Sequence, residues 1–223
     1  MEHTNPCSRR PASETLTVPT VFIVEPDASI RERLTGLVES AGWHSAVAAS
    51  AEEFLDRPRV VAASCLVVEQ HLPCMSGLEL QRLVADRREM PVIVTSRLAD
   101  IRTTVKAMKA GAFEFLEKPV AEAALLRSIK LAIKQACDEL DEVVRIRELE
   151  RRWLTLSSRE REVMRLIVTG RLNKEVGADL FISEITVKAH RGSVMRKMRA
   201  RSFAQLIGMG ADLSSATPPL QLQ

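Results

Sequence analysis

Short apolar runs alternate with amphipathic stretches from about residue 20 to residue 119. The run "VFIVE" (21–25) predicts a strand. "ASIRERLTGLVESAG" (28–42) predicts a helix, with Ile30, Leu34, Leu37 and Val38 on one face. A weaker strand at "HSAVAA" and a short helix at "AEEFLDR" follow. "SCLVVE" is the third strand and "GLELQRLVADR" the next helix, and "PVIVTS" (91–96) is a fourth strand. "DIRTTVKAMKAG" reads as a helix closed by Gly111, and "AFEFLEKP" as a fifth strand that ends in Lys118-Pro119. Strands with little alternation, each followed by a helix, predict a doubly wound parallel (βα)₅ sheet.

After Pro119 the helical period runs on to about Trp153. Ile129, Ile133, Ala136, Leu140 and Val143 form a short heptad-like stripe, compatible with a dimerising seam or with an ordinary final helix and charged linker. From Leu154 the strand pattern stops. "SSREREVMRLIVTG" carries Ser157 and Glu160 at capping-box spacing and a terminal Gly170. "NKEVGADLF", "ISEITVKAHRGSVMRKM" (capped by Ser183) and "RSFAQLIGMGADL" complete a four-helix set. Two of these meet at a tight turn and the second is loaded with cations, which is a helix-turn-helix pattern.

Charge sharpens the division. The net charge is +3 overall, yet residues 154–213 hold 11 Lys/Arg against 6 Asp/Glu. Residues 185–201 carry six Lys/Arg and no acid. Concentrated positive charge points to an anionic partner there. The four cysteines form no CxxC pair and no metal-type cluster, which suits a reducing compartment. No uncharged apolar run reaches spanning length and residues 1–18 lack a signal-type core, so a soluble cytoplasmic protein without membrane association is expected. Polar, aperiodic composition predicts a disordered tail over residues 1–18.

In parallel sheets, chemistry gathers at the strand C-termini, here Glu25, Glu69, Ser96 and Lys118. Residues 20–136, with "AMKAGAFEFLEKP", resemble the receiver domain of two-component response regulators. Residues 154–216, with "SREREVMRLIVTGRLNKEV", resemble the LuxR-type helix-turn-helix, and the pairing resembles the FixJ branch. The implied organisation is a tail (1–18), a receiver (19–136), a helical linker (137–153), a LuxR-type domain (154–216) and a second tail (217–223).

The resemblance implies an Mg²⁺-binding acidic pair on Glu25 and Pro26, a phosphoacceptor at Glu69, a hydroxyl at Ser96, an aromatic switch at Phe115 and a phosphate-pairing Lys118. Pro26 has no side-chain oxygen, and Asp27 is expected to point elsewhere, so no cofactor is expected. Glu69 stands where the family has Asp. Its extra methylene carries the carboxylate towards Lys118 and out of line for phosphoryl transfer, to imitate the modified state or to form an ion pair.

In the second domain the resemblance implies that Lys188 and Ala189 face the major groove, as does Gly192. Thr186, His190, Arg191 and Lys197 lie within reach of bases or phosphates, and Ser183, Asn173 and Lys174 stand at helix N-termini that meet phosphate. A non-enzymatic, homodimeric transcriptional regulator of double-stranded DNA is expected, not switched by ordinary aspartyl phosphorylation. The rivals are a conventional regulator served by a histidine kinase, and an interaction protein that titrates a kinase or another regulator.

Overall fold

The computed structural model describes residues 18–59, 61–98 and 100–216. The tails expected at 1–18 and 217–223 lie outside the described residues, Val18 excepted. The chain divides into two compact units between Asp141 and Glu142.

The first unit alternates strand and helix: β1 (Thr20–Val24), α1 (Ala28–Ser40), β2 (His44–Ala48), α2 (Ala51–Leu55), β3 (Ser64–Glu69), α3 (Gly77–Leu83), β4 (Val92–Ser96), α4 (Ile101–Lys109) and β5 (Glu114–Glu117). The strands form one parallel sheet in the order β2-β1-β3-β4-β5. Every residue of β3 and β4 is buried, which explains their continuous apolar runs. Side chains still alternate: Leu66 and Val68 join one core with Phe54, Leu80 and Ala107, whereas Cys65 and Val67 join the opposite core with Leu34, Val38, Leu125 and Ile129.

Helix α5 (Glu122–Leu154) crosses the boundary between units. Ile129, Ile133 and Ala136 are fully buried, while Val143 is exposed, so the front of the heptad-like stripe is core packing of the first unit. The stretch expected as a linker, 137–153, is helical throughout. Its last turns belong to the second unit, because Leu149 and Trp153 are buried in that unit's core.

The second unit continues with α6 (Ser158–Ile167), α7 (Asn173–Leu180), α8 (Glu184–Met198) and α9 (Phe203–Ala216). Val163, Met164, Ile167, Val176, Val187, Val194, Met198 and Leu206 fill its centre. The α7–α8 turn is close-packed: a Cβ on Gly177 would lie 2.8 Å from the Ile182 carbonyl oxygen, whose residue returns its N–H to the Gly177 carbonyl at 2.9 Å. Among the described residues no helix is long and apolar enough to cross a membrane.

Candidate functional site

The strand order reverses at β1 and β3, so their C-terminal ends open a crevice. Glu25 follows β1, Glu69 ends β3 and Lys118 follows β5. With Pro26, Asp27, His71, Arg97 and Leu98 they line a cleft of about 470 Å³. The approach of α3 fixes the backbone of the cleft's floor. Gly77 donates to the Gln70 carbonyl at 2.8 Å, and a Cβ on Gly77 would come within 2.5 Å of the Glu69 carbonyl oxygen.

Both carboxylates are buried and share one ammonium. Lys118 Nζ donates to Glu25 Oε2 at 2.5 Å and also contacts Glu69 Oε2. Only the contact to Glu25 has directed hydrogen-bond geometry, so the attraction to Glu69 is chiefly coulombic. The other oxygens face backbone: Glu25 Oε1 accepts from Asp27 N–H and Glu69 Oε1 from His71 N–H, each at 3.2 Å. His71 Nδ1 stands 3.7 Å from Glu69 Oε1. Arg31 donates to the carbonyls of Glu25 and Pro26 at 2.7 and 2.8 Å, holding the β1–α1 loop.

A magnesium ion does not fit this donor set. Pro26 supplies no oxygen, and both Oε2 atoms converge on a cation that would repel a second one at close range. Asp27 is turned to cap α1, accepting from Ser29 N–H and Ile30 N–H, and its second oxygen lies 3.6 Å from Arg97. Among the described residues no group of three or more His, Cys, Asp or Glu is arranged to hold a metal.

In the second unit α8 is capped by Ser183, whose hydroxyl accepts from Thr186 N–H at 3.1 Å. Lys188, Ala189 and Gly192 lie exposed on one side, opposite buried Val187, Val194 and Met198. Lys188 pairs loosely with Glu184 at 3.2 Å and stays mostly in solvent. Lys174 is exposed near the start of α7, whereas Asn173 is half-buried and accepts from Arg191 at 3.2 Å. A helix-turn-helix whose second helix exposes small residues beside Lys188, with Arg196 further along, has the shape and charge to lie along an anionic groove.

Known proteins match both units. The response regulator receiver domain model matches residues 21–130, and that of the bacterial regulatory proteins, luxR family, matches residues 154–210. Nodulation protein W of Bradyrhizobium diazoefficiens is 41% identical over 202 residues, covering 90% of this chain and 89% of that one. The chain belongs to the response regulators with a luxR-type DNA-binding domain. The transcriptional regulatory protein FixJ of Azorhizobium caulinodans is 36% identical, with 89% and 97% of the two chains covered. The solved structure of response regulator StyR superposes with a TM-score of 0.74 at 37% identity, covering 87% of this chain and 99% of that one. This is a class of transcriptional regulators, not of enzymes.

Within this response regulator, several residues expected at the sites sit differently. The Ser96 hydroxyl is fully buried, accepts from Leu98 N–H at 3.1 Å and faces the Leu98 carbonyl at 3.2 Å, so it does not reach Glu69. Phe115 is half-buried against the sheet core, and the Lys118–Pro119 bond is cis. Thr186 and His190 are half-buried, the former with its hydroxyl 2.8 Å from Ser183 Oγ. Arg191 lies 4.1 Å from the Phe203 ring centroid while bonded to Asn173, so it fastens α8 to its neighbours.

Lys197 departs most from expectation. Its ammonium donates to Glu160 Oε2 at 2.7 Å and to the Thr155 carbonyl at 3.3 Å, so it is partnered within the domain while about a third of its side chain stays exposed. Glu160 is buried and also accepts from Ser193 Oγ at 2.5 Å and Ser157 N–H at 2.7 Å. These donors, Lys197 first, hold its carboxyl down at about 2. The capping-box spacing marked Ser157 and Glu160 as a helix start, but no local signal tied Glu160 to α8.

Proposed function

We propose that this response regulator controls transcription by docking α8 in the major groove as a homodimer, with a receiver that is not switched by ordinary phosphorylation. The Glu25–Lys118–Glu69 bridge carries the reading. In-line phosphoryl transfer needs an aligned carboxylate and neutralisation of the donor's charge. Here the acceptor-position carboxylate faces Lys118, and the position after Glu25 that should supply a second metal-binding oxygen is Pro26. Glu69 supplies one negative charge to Lys118 where a phosphoryl group would bring about two. Because Ser96 is bonded elsewhere, the imitation of the modified state runs through Lys118 alone.

On the DNA side, Lys188, Ala189 and Gly192 supply the groove face, with Ser183, Thr186, His190 and Lys174 at its margins. A two-fold dimer reads an approximate inverted repeat. The direct test is to incubate the purified chain with acetyl phosphate and Mg²⁺ and measure intact mass. No gain is expected, and a gain appears once Pro26→Asp and Glu69→Asp are combined. Stoichiometric, Mg²⁺-dependent modification of the unaltered chain at Glu69 would overturn the reading in favour of a kinase-served regulator.

A further inference from the structure

A second cavity, of about 450 Å³, opens between α1 and the loop that leads from β5 into α5. Its walls are hydrocarbon: Ile30, Leu34 and Leu37 from α1 face Val120 and Leu125 across the opening. Leu34 and Leu125 are anchored in the core, so the floor is preformed. The one hydroxyl on the lining, that of Thr95, is already bonded to the Val68 carbonyl. The volume falls in the range of small-molecule sites, roughly 300–1,000 Å³.

The rim gives the sign of the occupant. Arg33, Arg97 and Lys118 stand around the opening against a single carboxylate, Glu122. Lys118 is held by its two glutamates, which leaves the arginines. Arg97 has only the 3.6 Å contact with Asp27, and Arg33 has no hydrogen-bond or ion-pair partner among the described residues. An apolar hollow with guanidinium groups at its mouth suits a molecule with one anionic end and a hydrocarbon body. A nucleotide or sugar would leave its polar groups facing Leu and Val side chains, at a cost.

We propose that this cavity binds a small monocarboxylic acid with an aliphatic or aromatic body, its carboxylate on Arg33 and Arg97 and its body against Leu34, Leu37 and Leu125. The site stands whether or not Glu69 is ever phosphorylated. Arg97 and Lys118 line the acidic cleft as well, so an occupant touches the same side chains that close that cleft.

The test is calorimetric titration of the full chain with 4-phenylbutyrate and, as its uncharged match, 4-phenylbutanol. One site per chain is expected, with the alcohol weaker by about tenfold or more, the ratio a single charged hydrogen bond supplies. Arg33→Glu, at an exposed position, should weaken the acid at least as much and leave the alcohol unchanged. Leu37→Trp should fill the hollow and weaken both. Equal binding of acid and alcohol, no heat with the acid, or full acid affinity in Arg33→Glu would each overturn the proposal. Should Leu37→Trp fail to fold, Arg33→Glu decides alone.

Discussion

Glu160→Gln tests whether the second unit is held together by the charge it buries. Glu160 Oε2 accepts from both Ser157 N–H and Lys197, and Oε1 accepts from Ser193. An amide of the same shape must turn its NH₂ towards at least one of these donors. The carboxyl lies at about 2 against an ordinary 4.5. That difference corresponds to an upper limit of roughly 3 kcal/mol. Lys197 keeps a third of its side chain in water, and screening reduces the expected loss to about 2 kcal/mol. For a domain of this size that lowers Tm by about 10 °C. The sign is that of a depressed carboxyl. Its contribution is complete above about pH 4.5 and is lost as pH falls towards about 2. The difference between wild type and Glu160→Gln should therefore be full at pH 7 and shrink to nothing near pH 2. Trp153 is buried in that core, and the chain's only other tryptophan is Trp43. Fluorescence melts in a Trp43→Phe background then follow this unit alone. Equal melting at pH 7, or a difference that does not narrow on acidification, would refute the argument.

Further outcomes are expected elsewhere. Phe181→Gly should stabilise the second unit by about 0.5–1 kcal/mol in thermal melts, because Phe181 occupies the left-handed region (φ 55) while 95% exposed, so strain is relieved and no packing is lost. Lys188→Ala should cost about 1–3 kcal/mol in binding to a specific operator and relax sequence preference in gel-shift titrations, with melting unchanged. Arg191→Ala should instead lower Tm as well as affinity, since its guanidinium joins Asn173 and Phe203. Glu69→Gln removes half of the charge facing Lys118 and should weaken dimerisation in sedimentation experiments; unchanged association would reduce the Glu69 contact to a local ion pair.

The sheet was legible because β3 and β4 are buried on both faces and so read as unbroken apolar runs, with Gly111 closing the helix before β5. The acidic cleft was legible only as single residues at strand ends. That Lys118 bridges Glu25 and Glu69 depends on contacts 93 and 49 positions apart, which no local pattern encodes. The pairing of Lys197 was not legible for a related reason: counting cations along a helix does not say which face each one takes, and its partner Glu160 lies 37 residues earlier. The end of α5 read as a charged linker because acids and bases dominate its composition, although Leu149 and Trp153 at the right spacing are enough to pack it.

The ammonium lodged between Glu25 and Glu69 has a consequence for timing and dose. If, as proposed, the receiver is not switched by phosphorylation, there is no phosphoryl group to reset, and the number of copies the cell contains becomes one variable that sets the output. For a chain that dimerises on a two-half-site operator, occupancy at low abundance climbs with about the square of concentration. Under that reading, synthesis and degradation of the regulator shape the response, and a modest change in its expression is amplified at the promoter.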